Sequence, residues 1–195
     1  GYAIKHLAIG RKNNDGIELR VHSCLIPEKR LIANVDGVKN AVVVSSDAAG
    51  PTLYYGAGAG SLATASSVVS DIIDVSRKIN SNSNNTIPLL SYQNKELVNK
   101  NILNINDIVS RYYLRIRVTN KPGVLADITK IFGSKSISIE SILQKEDVDS
   151  DKNVPIVLVT HEVLEKNIVE ALLSIEKLDV VKDKIVKIRI EELES

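Results

Sequence analysis

Two loops in this sequence combine residue types that suit the binding of a small ligand. The first is the run Gly-Ala-Gly-Ala-Gly at residues 56–60, which follows a strand-like segment and precedes a helical one. Glycines let a backbone approach a phosphate or a ring closely, and the free N–H groups of a helix start favour negative charge. The run lacks the last glycine of the dinucleotide fingerprint and the lysine of a P-loop. On its residues alone it is either a ligand-approach loop or a tight structural turn.

The second loop covers residues 120–126, with the sequence Asn-Lys-Pro-Gly-Val-Leu-Ala. A polar residue ends a strand, Pro-Gly turns the chain, and a helix begins with unpaired N–H groups. Such a mouth can hold the carboxylate of a small amino acid on backbone donors, while Asn120 contacts its ammonium or side chain. The alternative is a plain turn followed by a capped helix.

The sequence gives no support for metal or nucleophilic chemistry. His6, His22 and His161 share no metal-ligand spacing, and the single cysteine, Cys24, has no evident base beside it. The aspartates at 147, 149 and 151 lack the glycine and terminal glutamate of a calcium loop. We therefore predict no metal site in this chain.

Composition excludes several classes of protein. With 25 Lys+Arg against 24 Asp+Glu the formal net charge is +1, so no basic stripe is left for nucleic acid and no polybasic tail for a membrane surface. No apolar run approaches the roughly 18 residues of a membrane span. A single cysteine fits a reducing, cytoplasmic setting. The chain starts with Gly1 and contains no methionine, which indicates a piece of a longer protein.

The glycine-rich loop is positioned by a first block of predicted elements. Residues 3–55 contain four strand-like runs separated by turn residues, which predicts an antiparallel meander. Residues 61–76 place apolar side chains at helical spacing, with Ser61 as the expected N-cap. From residue 80 to 110 the chain becomes polar and asparagine-rich, which indicates a linker with a short helix near 105–109.

A second block positions the Asn120 loop. Residues 112–190 alternate strands and helices in the order βαββαβ, and Gly133 is placed to end the first of these helices. Right-handed crossovers then put both helices on one face of a four-stranded antiparallel sheet, leaving the other face and the edges to be covered. The predicted fold class is α/β in the α+β sense: an antiparallel-sheet portion with one helix, then a ferredoxin-like βαββαβ domain. The predicted domains are 1–79, a linker at 80–110, and 111–195.

Several separated blocks together resemble a known enzyme family. Residues 20–27, 35–41 and 55–60, followed by Thr64-Ala65 and by residues 68–71, resemble the later catalytic-domain region of homoserine dehydrogenase. Residues 112–190 resemble an ACT domain, the βαββαβ amino-acid sensor at the C-terminus of many bacterial members of that family. Residues 120–126 and 138–141 match the usual ACT blocks.

The resemblance implies an NAD(P)-dependent oxidoreductase that interconverts aspartate β-semialdehyde and homoserine, on the route to threonine and methionine. It implies a dimerisation sheet in the first block and a loop that borders the cofactor at Gly56, Gly58, Ala59 and Gly60. It further implies a homodimer or higher homo-oligomer whose ACT domain binds a small amino acid, with threonine as the natural effector. The implied effector site comprises the following residues: Asn120, Gly123, Val124, Leu125, Ile137, Ser138, Ile139 and Glu140.

The sequence departs from the family pattern at a few positions. Ser23-Cys24 stands where the family usually has Pro-Thr, and Ala63 stands where it has a proline. The family's Rossmann fingerprint, catalytic lysine and substrate carboxylates are not found, so we expect this chain alone to be inactive. Two other hypotheses stay open: a free-standing ACT-type amino-acid sensor with a dimerisation module, and a purely structural dimerisation protein.

Overall fold

The computed structural model describes residues 1–80, 92–144 and 153–193. Residues 81–91 of the predicted asparagine-rich linker (80–110) and the charged turn with Asp147, Asp149 and Asp151 lie outside these residues. The contacts divide the chain into two compact units. One joins residues 1–29 to the chain from residue 100 onward, and the other comprises residues 30–99. The contact units have other boundaries than the predicted domains 1–79 and 111–195. The predicted domains stay a prediction about the sequence.

The first unit is built on one mixed sheet that contains the predicted βαββαβ order. The bounds of this unit's elements are β1 Tyr2–Asn13, β2 Gly16–Pro27, β5 Val109–Thr119, α2 Val124–Ser134, β6 Ile139–Gln144, β7 Asn153–Thr160, β8 Val163–Leu164, α3 Glu165–Ile175 and β9 Val186–Ile190. Across the sheet the strand order is β1-β2-β9-β5-β7-β6. The last four strands of that order form the ferredoxin-like sheet, and the two helices α2 and α3 connect its strands.

The core of this unit follows from the period of its elements. Side chains of β5 alternate strictly, so every second residue from Tyr112 to Val118 points inward and is at most 1% exposed. Apolar residues of α2 and α3 recur at helical spacing and cover these strand residues. Phe132 on α2 and Ile175 on α3 are fully buried. Burial of each large apolar side chain contributes about 1.5–3 kcal/mol, so this core is the main source of stability of the ferredoxin-like part.

The hairpin β1–β2 extends the same sheet. The two strands pair antiparallel from Tyr2–Pro27 to Asn13–Gly16, and β2 then runs parallel to β9 through the pairs Cys24–Arg189 and Leu25–Ile190. Its alternation is regular, yet the buried face carries charge: Glu18 is 3% and Arg20 6% exposed, while Leu19 is 56% exposed. The buried face of β2 therefore combines these two charged side chains with Cys24 and Ile26, which are both fully buried.

The turn of this hairpin depends on Gly16. A Cβ atom there would lie 2.5 Å from the carbonyl oxygen of Asn101, because Ile17 donates its N–H to that oxygen at 2.8 Å and accepts from Leu103 at 2.9 Å. Gly16→Ala should therefore lower the free energy of unfolding by about 1–3 kcal/mol, since backbone must move or remain strained. Urea unfolding measures the change. Gly10→Ala is the matched control, because its Cβ would meet only Leu19 at an ordinary 3.5 Å, and equal effects of the two substitutions would contradict this explanation.

The second unit contains a separate hairpin and a helix. The hairpin pairs β3 (Lys39–Ser46) with β4 (Gly50–Ala57), and the helix α1 covers Ser61–Asn80. Short 3-10 turns occur at Leu31–Asn34, Asn94–Glu96 and, in the first unit, Ile105–Asp107. The predicted single meander is wrong: the four strands form two hairpins in different sheets. The turn residues correctly predicted each hairpin. Strands β2 and β3 are consecutive in the sequence but do not pair with each other.

Helix α1 confirms the predicted helix and corrects its start. Thr64 donates its N–H to the carbonyl of Gly60 at 3.0 Å, so Gly60 takes the capping position and Ser61 is the first helical residue. None of the residues of α1 is buried, and its apolar side chains at 68 and 72 are more than half exposed. Likewise Gly133 does not end α2, which continues to Ser134 with Lys135 as its C-cap.

Candidate functional site

The Asn120 loop leads from β5 into the first turn of α2. Gly123 occupies the N-cap position with φ of 91°, a left-handed conformation that glycine adopts without strain. Among the described residues no side chain caps this helix start. The first helical bond runs from the N–H of Asp127 to the carbonyl of Gly123 at 3.1 Å, so the amides of residues 124–126 precede it and lack helical partners.

These amides give the loop the chemistry predicted for it. Val124 is buried in the core and fixes the helix start, while Leu125 is 36% exposed and Asn120 is exposed. The buried Val124 therefore anchors the start of α2, where the three N–H groups without helical partners and the positive end of the helix dipole are found. A carboxylate is an acceptor well suited to such donors. The geometry permits an amino-acid carboxylate here, with Asn120 beside it as a polar contact.

The second predicted set, residues 137–140, lies at the start of β6. Ile137 is buried and donates its N–H to Phe132 at 3.0 Å, and the carbonyl of Ser138 accepts from His161 at 3.0 Å. Ile139 pairs with Thr160 of β7. Ser138 and Glu140 are exposed, and the carboxylate of Glu140 forms an ion pair with Arg111.

Within one copy of the chain the two sets do not meet. Glu140 contacts Arg111 near the beginning of β5, whereas Asn120 follows the end of β5. At about 3.3 Å per residue, the eight steps along β5 from Arg111 to Thr119 cover about 26 Å. That is several times the length of a small amino acid. A site made of both sets therefore needs two copies of the chain.

The edge strand β6 offers one place for such a second copy. It pairs on one side with β7 and is the last strand in the sheet order. Ile142 is 41% and Leu143 51% exposed there. An edge with unpaired backbone groups and exposed apolar side chains is suited to pairing with another strand.

The glycine-rich loop divides into structural and open positions. A Cβ on Gly58 would overlap the side chain of Asn40, which is 1.2 Å from that position at Nδ2, and the N–H of Gly58 bonds to Val38 at 3.1 Å. Gly60 has φ of 131°, which other residues rarely adopt. A Cβ on Gly56 or Gly60 would meet nothing within 4 Å. The backbone at Gly56, Ala59 and Gly60 is thus exposed and open to a ligand, which fits a loop that borders a cofactor.

Two buried charge clusters were not found by sequence reasoning. In the first, which we call the Glu165 cluster, the carboxylate of Glu165 accepts from the Tyr112 hydroxyl at 2.5 Å, from Arg189 at 2.6 and 2.9 Å, and from Lys187. Burial is the largest influence on the Glu165 pKa and raises it. Hydrogen bonds from Lys187, Tyr112 and Arg189 outweigh it, so the pKa lies below its usual range. The same burial and carboxylate raise the pKa of the Tyr112 hydroxyl far above its ordinary value.

The second, which we call the seam cluster, joins Glu18, Arg20, Arg11 and Glu191. Arg20 contacts Glu18 at 2.5 Å and Glu191 at 2.7 Å, and Arg11 contacts Glu191 at 2.7 Å. The side chains of Glu18, Arg20 and Glu191 are at most 4% exposed. A signal was present in the sequence: Glu18 and Arg20 occupy one face of a strand, two residues apart.

Cys24 has the environment of a core thiol. Cys24 is fully buried, and burial raises the pKa of its thiol to about 11, which keeps it protonated at neutral pH. Across residues 1–80, 92–144 and 153–193, no three His, Cys, Asp or Glu side chains are placed to hold a metal ion. No helix in the same residues is long and apolar enough to cross a membrane.

Comparison with known proteins adds two family matches. Residues 1–73 match the homoserine dehydrogenase family, and residues 112–179 match the ACT domain. A homoserine dehydrogenase of Pseudomonas aeruginosa is 51% identical over 99% of this chain, and one of Neisseria gonorrhoeae 47% identical over 99%. Both matches cover 44% of the relative, so the chain spans less than half the length of these curated proteins.

Solved structures agree with these matches. The crystal structure of a homoserine dehydrogenase from Thiobacillus denitrificans is similar over the whole chain, with a TM-score of 0.90, 52% sequence identity and 43% of that protein covered. The Staphylococcus aureus homoserine dehydrogenase shares the fold at a TM-score of 0.57 and 23% identity.

Proposed function

We propose, because this chain joins part of a homoserine dehydrogenase domain to an ACT domain, that the protein to which it belongs interconverts aspartate β-semialdehyde and homoserine with NAD(P)H. This chain is expected to be inactive alone, since it spans 44% of the Pseudomonas relative and contains no residue that we assign to catalysis. The cytoplasm is the expected location, where soluble nicotinamide cofactors are used and a lone thiol such as Cys24 stays reduced.

The contribution proposed for the first part of the chain is to border the nicotinamide cofactor. That cofactor supplies the hydride, and the residues proposed to lie beside it are Gly56, Gly58, Ala59 and Gly60. The open backbone at Gly56 and Gly60 supports this role, and the packing of Gly58 on Asn40 keeps the loop close to β3. Two glycines therefore leave space for a ligand while a third fixes the shape of the loop.

The contribution proposed for the ACT domain is to bind a small amino acid between two copies of the chain. The observation that supports this proposal is that, within one copy, Glu140 lies beside Arg111 near the start of β5 whereas Asn120 follows the end of that strand. The carboxylate would bind the amides of Val124 and Leu125 beside Asn120 and Gly123 of one copy. Residues 137–140 of the other copy would close the site. Threonine, the end product of the route to which the proposed reaction belongs, is the proposed effector, and a homodimer is the smallest assembly that forms the site.

Titration of the full-length protein with threonine tests this function. Threonine should bind and, at one hundred times its Kd, stabilise the folded protein by about 2.7 kcal/mol. Asn120→Ala should abolish the calorimetric response, because it removes the polar contact beside the helix start. Asn13→Ala, an exposed asparagine at the end of β1, should leave the response unchanged.

Serine, isoleucine, lysine and methionine serve as competing ligands in the same titration. A response to threonine that survives in Asn120→Ala would contradict the assigned site. Silence for every amino acid would contradict the sensing function, and the hydride-transfer assay of the full-length protein then tests the enzyme function separately.

A further inference from the structure

Arg111 links the proposed effector strand to the end of β9. It lies in β5, and its guanidinium contacts the carboxylate of Glu140 on β6 and the carboxylate of Glu192 just after β9. The Arg111 side chain is 20% exposed, while Glu140 is 41% and Glu192 35% exposed. One partly buried cation is therefore shared between two carboxylates that belong to different parts of the sheet.

Glu192 directly follows Glu191, a member of the seam cluster, in the chain. Its neighbour Glu191 is held by Arg11 and Arg20 of the β1–β2 hairpin, each at 2.7 Å. Glu192 itself accepts a long hydrogen bond of 3.5 Å from the hydroxyl of Tyr2, at the start of the hairpin. Residues 191–192 thus connect the ACT strands to the hairpin through side-chain charge.

The backbone connection at this seam is short. Strand β2 pairs with β9 at Cys24–Arg189 and Leu25–Ile190, followed by a bond of 2.9 Å from the N–H of Glu191 to Leu25. By contrast β1 and β2 pair over twelve residues. A short ladder leaves the placement of the hairpin against β9 sensitive to the charges around Glu191 and Glu192. The hairpin lies within residues 1–73 of this chain, the part that matches the homoserine dehydrogenase family.

We infer that Arg111 is a coupling residue that transmits occupancy of the effector site to the β1–β2 hairpin. This inference rests on the proposed function. The ammonium of a bound amino acid, when it contacts the carboxylate of Glu140, draws that carboxylate from Arg111. Arg111 then pairs with Glu192 alone, which changes how Glu192 is held against Tyr2 of the hairpin and how the chain is placed at the adjoining Glu191.

Such coupling acts by differential affinity. The effector changes activity because it binds the arrangement with Glu140 released more tightly than the arrangement with Glu140 held by Arg111. Without the Arg111 guanidinium, the hairpin is unaffected by whether Glu140 is bound to the effector or free. Effector binding then persists while its consequence for catalysis disappears.

The test is threonine inhibition of the full-length enzyme carrying Arg111→Gln. The variant should keep its basal kcat and bind threonine in a calorimetric titration, yet require at least about fivefold more threonine for half-inhibition. Arg115→Gln is the matched control, since Arg115 is exposed on the same strand and has no ion pair within the described residues. It should be inhibited like the wild type. A merely structural role of Arg111 would lower the melting temperature without separating binding from inhibition.

Glu192→Gln is the second variant, because it keeps Arg111 and its pair with Glu140. It should show the same loss of inhibition with threonine binding retained. Inhibition of either variant at the wild-type threonine concentration would overturn the coupling route. If wild-type enzyme binds no threonine, the proposed sensing function fails first and this inference fails with it, whereas binding to wild type with unchanged inhibition of the variants overturns the inference alone.

Discussion

Glu165→Ala should lower the free energy of unfolding of the ACT domain by about 3–5 kcal/mol, among the largest effects of a single substitution in this chain. The carboxylate of Glu165 is 4% exposed and is contacted by Lys187, Arg189 and the hydroxyl of Tyr112. Its removal leaves two cations and a phenol without their shared acceptor. Arg189 is itself only 15% exposed, so water replaces the lost partner poorly.

Equilibrium unfolding in urea measures this effect, and Glu162→Ala is its matched control. Glu162 lies three residues earlier and is exposed, so its substitution should change stability by less than about 0.5 kcal/mol. A loss below about 1 kcal/mol for Glu165→Ala would mean that Lys187 and Arg189 find other partners at little expense.

The same cluster makes stability depend on pH in a defined direction. Because the folded-state pKa of Glu165 is depressed, its contribution is fully present above the unfolded value of about 4.3 and is lost as pH falls through the lower folded value. The difference in unfolding free energy between wild type and Glu165→Ala should therefore shrink between pH 5 and the acid limit of folding. A difference that grows as the pH falls would have the wrong sign for this explanation.

Arg20→Met should destabilise the β1–β2 hairpin by a similar amount, about 3–5 kcal/mol. The side chain of Arg20 is 2% exposed and lies between the carboxylates of Glu18 and Glu191 at 2.5 and 2.7 Å. These contacts are close ion pairs whose angles fall outside hydrogen-bond geometry, so charge balance is their main contribution. Without Arg20, two buried carboxylates remain, and only Arg11 stays beside them.

Hydrogen exchange of the amides of β2 and β9 measures this effect directly. Arg11→Met is the matched control, because Arg11 belongs to the same seam cluster but is 41% exposed, and we expect less than about 1 kcal/mol from it. Replacing Glu18, Arg20 and Glu191 together by apolar residues should recover most of the loss, since no unpaired charge is then buried. Failure of the triple variant to recover would show that the hairpin needs the charges for its register.

The sequence predicted those parts of the fold that repeat a local period. Tyr112, Leu114 and Ile116 alternate with exposed or half-buried residues, and the spacing of Val124, Ile128 and Phe132 is that of a helix, so the βαββαβ order was predicted and is confirmed. The alternation of side chains along a strand does not say which face is buried when a neighbouring strand supplies charges of opposite sign. Glu18 and Arg20 are buried because Glu191 and Arg11 compensate them, and that pairing is invisible along the chain.

For the candidate site, the sequence predicted the chemistry of each half but not their separation. Pro122 and Gly123 predicted a turn into a helix start with free amides, as found. The prediction that residues 137–140 close the same site stays a prediction, because Glu140 lies at the other end of β5. A distance between two elements depends on the direction in which α2 returns along the sheet. No short stretch of sequence encodes it.

The parallel pairing of β2 with β9 also orders events during synthesis of the chain. Cys24 and Arg189 are separated by 165 residues, and β9 lies close to the end of the described chain. At 5–20 residues per second a ribosome needs roughly 8–30 s to make the intervening segment. During that interval the hairpin β1–β2 is complete, but the edge of β2 and the carboxylate of Glu18 have no β9 or Glu191 beside them. Until β9 has been made, the nascent chain therefore presents a strand edge suited to chaperone binding or to pairing with another nascent chain.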